Sequence, residues 1–313
     1  MKIQMDMNKN IVSVFFTGFI RIRGVFNWSA FSIIGFILSI SSLKLSEYLT
    51  PFLVFIICSF CILSFTFSIN NYYDIDSDRR NPKKIHYNAM ASGKISKKTG
   101  VTLNAIFVII ALAVSFLFKL EVFFFCALLL FWMWIYSSPP LRLKGRSGVD
   151  VVWHFIAFLL LILWGSIIAG SINLINWLVA ISIGVFSCIA QIMNHIGDYE
   201  FDKESGTKTY AVSKGLEKAR LLLKINGILH MILLAPLIAL YSLNYISTIS
   251  ILFLGVVLGI YVIKSKKESL SSTIYYFLLV FSLAVYGSCI IYHISILLGM
   301  PTIGLLTITT PFG

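Results

Sequence analysis

The sequence predicts an all-α integral membrane protein: a bundle of about nine transmembrane helices, N-terminus inside and C-terminus outside. Three observations carry that prediction. The 313 residues are 58% hydrophobic and 12% charged, with a mean hydropathy of +0.90, whereas soluble domains run near 45–50% apolar and about 25% charged. The apolar residues fall in runs of about 20, the length that crosses a hydrocarbon core. Lys and Arg collect on alternate connections between those runs.

Nine runs meet the length requirement, at 24–43, 50–73, 99–117, 120–138, 151–170, 174–195, 219–242, 246–263 and 272–298. The first extends backward as an amphipathic lead-in from about residue 10. With the N-terminus inside, the inner segments hold every one of the 25 Lys and Arg residues except Lys44 and Lys119. That bias sets the orientation. It also accounts for the net charge of +12 without a nucleic-acid partner, leaving some attraction to anionic headgroups. Arg21 and Arg23 interrupt the first run and no small-residue cleavage site follows, so the N-terminus does not read as a signal peptide.

Residues 1–313 read as a single polytopic membrane domain. Its longest polar insertions, 74–98 and 196–218, form cytoplasmic cap loops. Cys58, Cys61, Cys126, Cys188 and Cys289 lie scattered in the spans. Cys58-x2-Cys61 has metal or redox spacing, but no second pair or His cluster accompanies it. Packing as small hydrophobes is the better reading.

Two similar polar strings close two of the spans. The first is Asn70-x3-Asp74-x3-Asp78 and the second Asn194-x3-Asp198-x3-Asp202. A spacing of four puts side chains on one helical face, one turn apart. Asp76 is two residues from each neighbour and points elsewhere, toward solvent. The strings start 124 residues apart (194 − 70) and are separated by four spans. This is the pattern of a parallel internal repeat with a site at its pseudo-symmetry axis. Asp74, Asp76, Asp78, Asp198, Glu200, Asp202 and Glu204 are seven of the 13 acidic residues in the chain. A salt-bridged loop, using Arg79, Arg80, Lys203 and Lys208, accounts for one such string alone more readily than for two. Clustered carboxylates repel unless a cation intervenes. All-oxygen ligands with open positions suit Mg²⁺, which takes one or two carboxylates plus substrate phosphates. The surrounding cations suit phosphate oxygens. A polar site at the mouth of an apolar bundle suits an amphiphile with a polyanionic head, a description that a polyprenyl diphosphate meets.

The connection Tyr136-Ser-Ser-Pro-Pro-Leu-Arg142-Leu-Lys144-Gly-Arg146 is the third informative stretch. Its cations serve either as positive-inside anchors or as diphosphate ligands, with Lys144 or Arg142 foremost. Tyr136, one turn back, is placed to face a carbocation through its ring. Tyr72 and Tyr73 are weaker candidates of the same kind. His195 flanks the second string, where contact with the acceptor is the lesser of its two readings. His86 reads as a solvated loop residue, and His154, His230 and His293 as hydrogen-bonding residues of the bundle.

The set of motifs resembles the UbiA superfamily of intramembrane prenyltransferases, across nearly the whole chain. Members have nine helices, an N-D-x-x-D-x-x-x-D motif closing the second and a D-x-x-x-D motif closing the sixth. Here the first reads Asn70-Asn71-Tyr-Tyr-Asp74-Ile-Asp-Ser-Asp78, with Asn71 in place of the usual Asp. The second reads Asp198-Tyr-Glu-Phe-Asp202 and continues Gly206-Thr-Lys208-Thr209. Tyr136 to Lys144 is similar to the family's Y-S-x-P-P-L-x-L-K segment, and Ser92-Gly93-Lys-Ile-Ser96 to its S-G-x-I-S. Asn88-Ala89 stands where the family commonly has Arg-Pro, within Asn81-Pro-Lys-Lys-Ile-His-Tyr-Asn88. That string is closer to the carotenoid-elongating and some archaeal branches.

The resemblance implies Mg²⁺-dependent prenyl transfer from an isoprenyl diphosphate to a lipophilic acceptor within the membrane. It implies Asp74, Asp78, Asp198 and Asp202 as metal ligands. It places Asn70, Arg142, Lys144, Lys208, Arg23 and Asn194 at the diphosphate, and gives Asp198, Asp202, Lys144 and Tyr136 catalytic roles, with Asp198 receiving the acceptor's proton. The acceptor stays open among an aromatic quinone precursor, an archaeal glycerol-phosphate ether lipid, a carotenoid and a porphyrin. The rival class is a divalent-cation or proton-coupled transporter. Against it, the acids sit at one face and nothing acidic marks an outward half-pathway.

Overall fold

A computed structural model of the protein describes residues 11–82, 84–241 and 270–300. The described residues are helical, with seven helices long and apolar enough to cross a membrane. The expected span at 246–263 lies outside the described residues, so the expected nine are not counted there.

The first expected span is corrected. In place of one run over 24–43, a short helix α1 (Ile11–Val14) continues as a π-helical turn, Phe15–Phe19. It then breaks before α2 (Ile22–Ile37), the two parts being bent by 50°. If that pair is one span, the count among the described residues is eight. No proline lies in the segment. A π-turn is a recognised cause of a kink, and here it brings Arg21 to the bend.

The remaining spans fall within a few residues of their expected bounds. They are α3 (Leu45–Tyr73), α5 (Lys97–Phe118), α6 (Leu120–Ser137), α7 (Val149–Ala169), α8 (Leu174–Gly197), α11 (Leu216–Tyr241) and α12 (Leu270–Leu297). Three short helices lie between them: α4 (Ile75–Arg80), α9 (Tyr199–Glu204) and α10 (Tyr210–Lys214).

The chain divides into two compact units. One is built on Leu49–Lys144 with the N-terminal residues through Ile33; the other is built from Gly145 onward, with Ile34–Tyr48. In the first, α3 buries Cys58, Ile62, Leu63 and Phe65, and the neighbouring helices contribute Ala111, Cys126, Leu129 and Met133. Ser96 caps α5 by accepting the Thr99 amide at 3.0 Å. All five cysteines are buried and free, as expected of small packing residues.

The second unit is centred on the α7–α8 hairpin. Gly170, with φ of +110°, ends α7, and a reciprocal Asn173–Asn176 capping box starts α8. Lipid supplies no hydrophobic drive between helices, so close approach and polar contacts do that work. Gly184 is an example: a Cβ there would lie 2.9 Å from the Phe155 ring and carbonyl oxygen. Ser166 Oγ donates to Gly35 O at 3.2 Å, and Ser171 Oγ to Ser39 O at 3.1 Å. His230 bridges two helices, with Nδ1 3.0 Å from Ser182 O and Nε2 2.6 Å from Ser282 Oγ. His293 Nε2 lies 2.9 Å from Ile40 O, and His154 Nδ1 lies 2.8 Å from Asp150 O, the bundle role expected of these histidines.

Candidate active site

The first acidic string straddles the end of α3. Asp74 leaves the helix with φ −96° and ψ 6°, the bridge region where turn and active-site residues gather. The i→i+4 bonds continue through it, from Asp74 N to Asn70 O at 3.0 Å and from Asp78 N to Asp74 O at 2.8 Å. Asp74 and Asp78 are buried, while Asp76 is exposed, as its spacing predicts.

Cations reach this face from the connection after α6. The chain folds back on the helix end there: Arg142 N donates to Ser138 O, Leu143 N to Ile135 O and Lys144 N to Tyr136 O. These bonds satisfy carbonyls that a helix C-terminus leaves open. They aim Lys144 Nζ at Asn70 Oδ1, 3.2 Å away, and at Asp74 Oδ2. Arg142 Nη2 lies 3.9 Å from Asp74 Oδ1. Tyr136, on the last turn of α6, is half-buried.

Arg21 is a further cation that sequence reasoning missed. It donates through Nη2 to Asn71 Oδ1, and the wholly buried Asn71 amide is held by the carbonyls of Gly18 and Phe19 at 3.1 and 2.9 Å. Arg23, the candidate named from the sequence, is exposed. Arg21 (φ +52°) and Arg142 (φ +35°) are the non-glycine residues with positive φ among the described residues. Such backbone is costly and tends to persist where surrounding structure holds it for function. No sequence signal marks it.

Asn88 was also missed as a site residue. It is fully buried; its Nδ2 donates to Asp78 Oδ2 at 2.9 Å and to Asn71 O at 2.8 Å. Its Oδ1 accepts the Met90 and Ala91 amides, each at 3.1 Å. Asn88 thus fixes one carboxylate and ties the 81–96 loop to α3.

The second string repeats the backbone of the first. Asp198 ends α8 with φ −96° and ψ 9°. Asp198 N donates to Asn194 O at 2.9 Å and Asp202 N to Asp198 O at 2.8 Å. A six-residue helix follows each central Asp. Asn194 and Asp198 are exposed and Asp202 is half-buried. The loop turns at Gly206, with φ of +72°, and Thr207 N donates to Asp202 O at 2.8 Å. The exposed Lys208 follows. His195 is buried and pairs with Asp150 of α7 at 2.7 Å.

No group of three or more His, Cys, Asp or Glu residues converges among the described residues. The donors in each string are oxygens, two carboxylates and an amide. That set fits Mg²⁺, which keeps sites open for phosphate oxygens, and does not fit a closed protein cage.

The fold and these strings define a helical membrane protein with paired Asn/Asp motifs at the ends of spanning helices. The chain belongs to the UbiA prenyltransferase family, whose profile matches residues 28–284. It is 27% identical over 226 residues to digeranylgeranylglyceryl phosphate synthase of Methanosphaera stadtmanae, covering 69% of this chain and 79% of that one. It is 27% identical over 168 residues to a lycopene elongase/hydratase of Corynebacterium glutamicum, covering 53% of this chain and 58% of that one. The structure of a UbiA homologue from Archaeoglobus fulgidus bound to GPP and Mg²⁺ matches with a TM-score of 0.65 at 22% identity, over 90% of this chain and 99% of that one.

Proposed function

We propose that this protein catalyses Mg²⁺-dependent transfer of a polyprenyl group from an isoprenyl diphosphate to a lipophilic acceptor in the membrane, releasing diphosphate. The observation that carries the reading is the Asn70–Asp74–Lys144 contact at the end of a spanning helix, with Arg142 beside it. An acid turn ringed by cations is what a metal–diphosphate headgroup needs, and a bare ion pathway does not. The relatives' names, digeranylgeranylglyceryl phosphate synthase and lycopene elongase/hydratase, are in keeping with this, and the Archaeoglobus homologue binds GPP with Mg²⁺.

Asp74 and Asp78 are assigned to one metal, and Asp198 and Asp202 to another. Magnesium, when bound there, supplies positive charge to the leaving diphosphate. Lys144, Arg142 and Arg21 neutralise charge as the allylic C–O bond ionises, the contribution that usually dominates such catalysis. Asn70, Asn194 and Lys208 are assigned to phosphate oxygens, and Tyr136 to the cation face of the prenyl group. The apolar bundle keeps water from that cation. We place both strings on the cytoplasmic side, from the Lys/Arg bias.

A product bearing two geranylgeranyl groups on glyceryl phosphate lies one transfer beyond the singly prenylated compound. Geranylgeranylglyceryl phosphate is therefore the first acceptor to try, and a carotenoid the second. The test is release of inorganic diphosphate from geranylgeranyl diphosphate by the purified protein. Release that requires Mg²⁺ and Asp74 is expected. A transporter gives none.

A further inference from the structure

Asn71 lies in the last turn of α3 and is wholly buried. Its Nδ2 donates to the carbonyls of Gly18 and Phe19 at 3.1 and 2.9 Å, and its Oδ1 accepts from Arg21 Nη2. A side-chain amide has two N–H donors and one carbonyl acceptor. Here the donors are spent on the bend before α2 and the acceptor on the guanidinium. Turning the amide over would set its oxygen against two carbonyl oxygens and its N–H groups against a cation. The bend is also held from the 81–96 loop. Ala89 N donates to Gly18 O at 2.8 Å, and a Cβ at Gly18 would lie 3.3 Å from that of Ala89. The positive φ of Arg21 persists because its surroundings fix it this firmly.

A carboxylate at position 71 would match the shape of this amide and have the opposite effect. It only accepts, so both contacts to the bend would be lost. It would also pair with Arg21 and cancel its charge. Position 88 offers such a carboxylate no other cation. Asn88, which stands where the family commonly has Arg, donates from Nδ2 to Asn71 O at 2.8 Å. The two departures from the family's motifs therefore meet in space, with amides where charges would stand. Asn70 repeats the arrangement one residue earlier, with its Oδ1 3.2 Å from Lys144 Nζ. Successive helix positions point about 100° apart, so two neutral oxygens hold two cations on different sides of the helix end. Arg21 is half-buried, and Asp78 and Asp74 lie within its electrostatic reach. Its Nε is buried without a partner, and its Nη1 has none among the described residues.

We propose that Asn71 is a positioning residue that holds Arg21 at the acid turn with its charge uncommitted, so that the guanidinium meets the diphosphate of the prenyl donor; this rests on the prenyl-transfer reading above. The amide orients the cation through a hydrogen bond and does not neutralise it. Lys144, Arg142 and Arg21 are set against Asp74 and Asp78, so cations are in excess around the turn. A polyanionic headgroup fits that excess. A carboxylate at position 71 removes it, and the diphosphate then competes with that carboxylate for Arg21.

The test is binding of labelled geranylgeranyl diphosphate, with Mg²⁺, to the full-length protein immobilised in detergent. Asn71→Asp is expected to weaken binding by about 30-fold, the scale of one charge-assisted hydrogen bond. Arg21→Gln is expected to weaken it equally, and Arg21→Lys, which keeps the charge, to bind within about fivefold of wild type. Adding Asn71→Asp to Arg21→Gln costs less than about twofold more, the non-additivity of residues that act as a pair. Arg21→Gln leaves both Asn71 donor bonds in place, so it carries the test even where Asn71→Asp does not fold. Binding within about twofold of wild type in Asn71→Asp or Arg21→Gln overturns the assignment. So does a full loss from Asn71→Asp in the Arg21→Gln background, which marks a purely structural contact with the bend. If the wild type shows no Mg²⁺-dependent binding of the diphosphate, the prenyl-transfer reading fails and takes this assignment with it.

Discussion

Asp74 joins the charges of the first string: Lys144 and Arg142 meet its carboxylate, and Asn70 shares the lysine. Replacing it with Ala removes the proposed metal ligand while leaving α3 and its packed face intact. Asp74→Ala is expected to lower turnover by at least about 100-fold with little change in thermal unfolding, measured as diphosphate release beside a melting curve in detergent. Asn88 has the opposite character. Its four buried hydrogen bonds make Asn88→Ala a stability change of about 1–3 kcal/mol, accompanied by weaker Mg²⁺ dependence as Asp78 loses its donor. Asp74, Asp78 and Lys144 were legible in the sequence because charge in a greasy chain is conspicuous and a spacing of four declares a helical face. Arg21 and Asn88 were not. What places the first is a left-handed backbone and a bend, and what places the second is a tertiary contact across a loop; neither leaves a periodic trace.

The spans themselves were legible at the scale of elements, because lipid requires about 20 apolar residues per crossing. The sequence over 11–37 does not reveal its break: it has no proline, and a π-turn is set by packing. How the helices meet was equally hidden. Gly184 and Gly287 look alike in sequence, yet a Cβ at 184 runs into Phe155 while one at 287 meets nothing within 4 Å. Gly184→Val is therefore expected to destabilise the protein by about 1–3 kcal/mol. Gly287→Ala is expected to be neutral or stabilising by up to about 1 kcal/mol. Thermal unfolding of the two variants in one detergent measures the contrast, and equal midpoints would remove Gly184 as the close-approach point of α7 and α8.

For the whole molecule, the sequence supports an orientation as well as a fold class. All but two of its 25 cations lie on one set of connections. The native cysteines are buried, so single added cysteines read topology cleanly. His86→Cys is expected to label only when an impermeant reagent reaches the cytoplasmic side, and Lys44→Cys only from the opposite side; labelling of both from one side would reverse or break the N-in assignment. The paired strings and the cation-rich connection carried the family resemblance across the chain, and the family profile over 28–284 agrees with it. The acceptor left no such mark, since ordinary apolar and aromatic residues line any pocket in this bundle. Prenyl transfer itself is measured on membranes containing this protein, given labelled geranylgeranyl diphosphate, Mg²⁺ and a lipid extract. A prenyltransferase gives a labelled lipid that requires both Mg²⁺ and Asp74, its mass naming the acceptor. The absence of both product and Mg²⁺-dependent binding of the diphosphate would contradict this function.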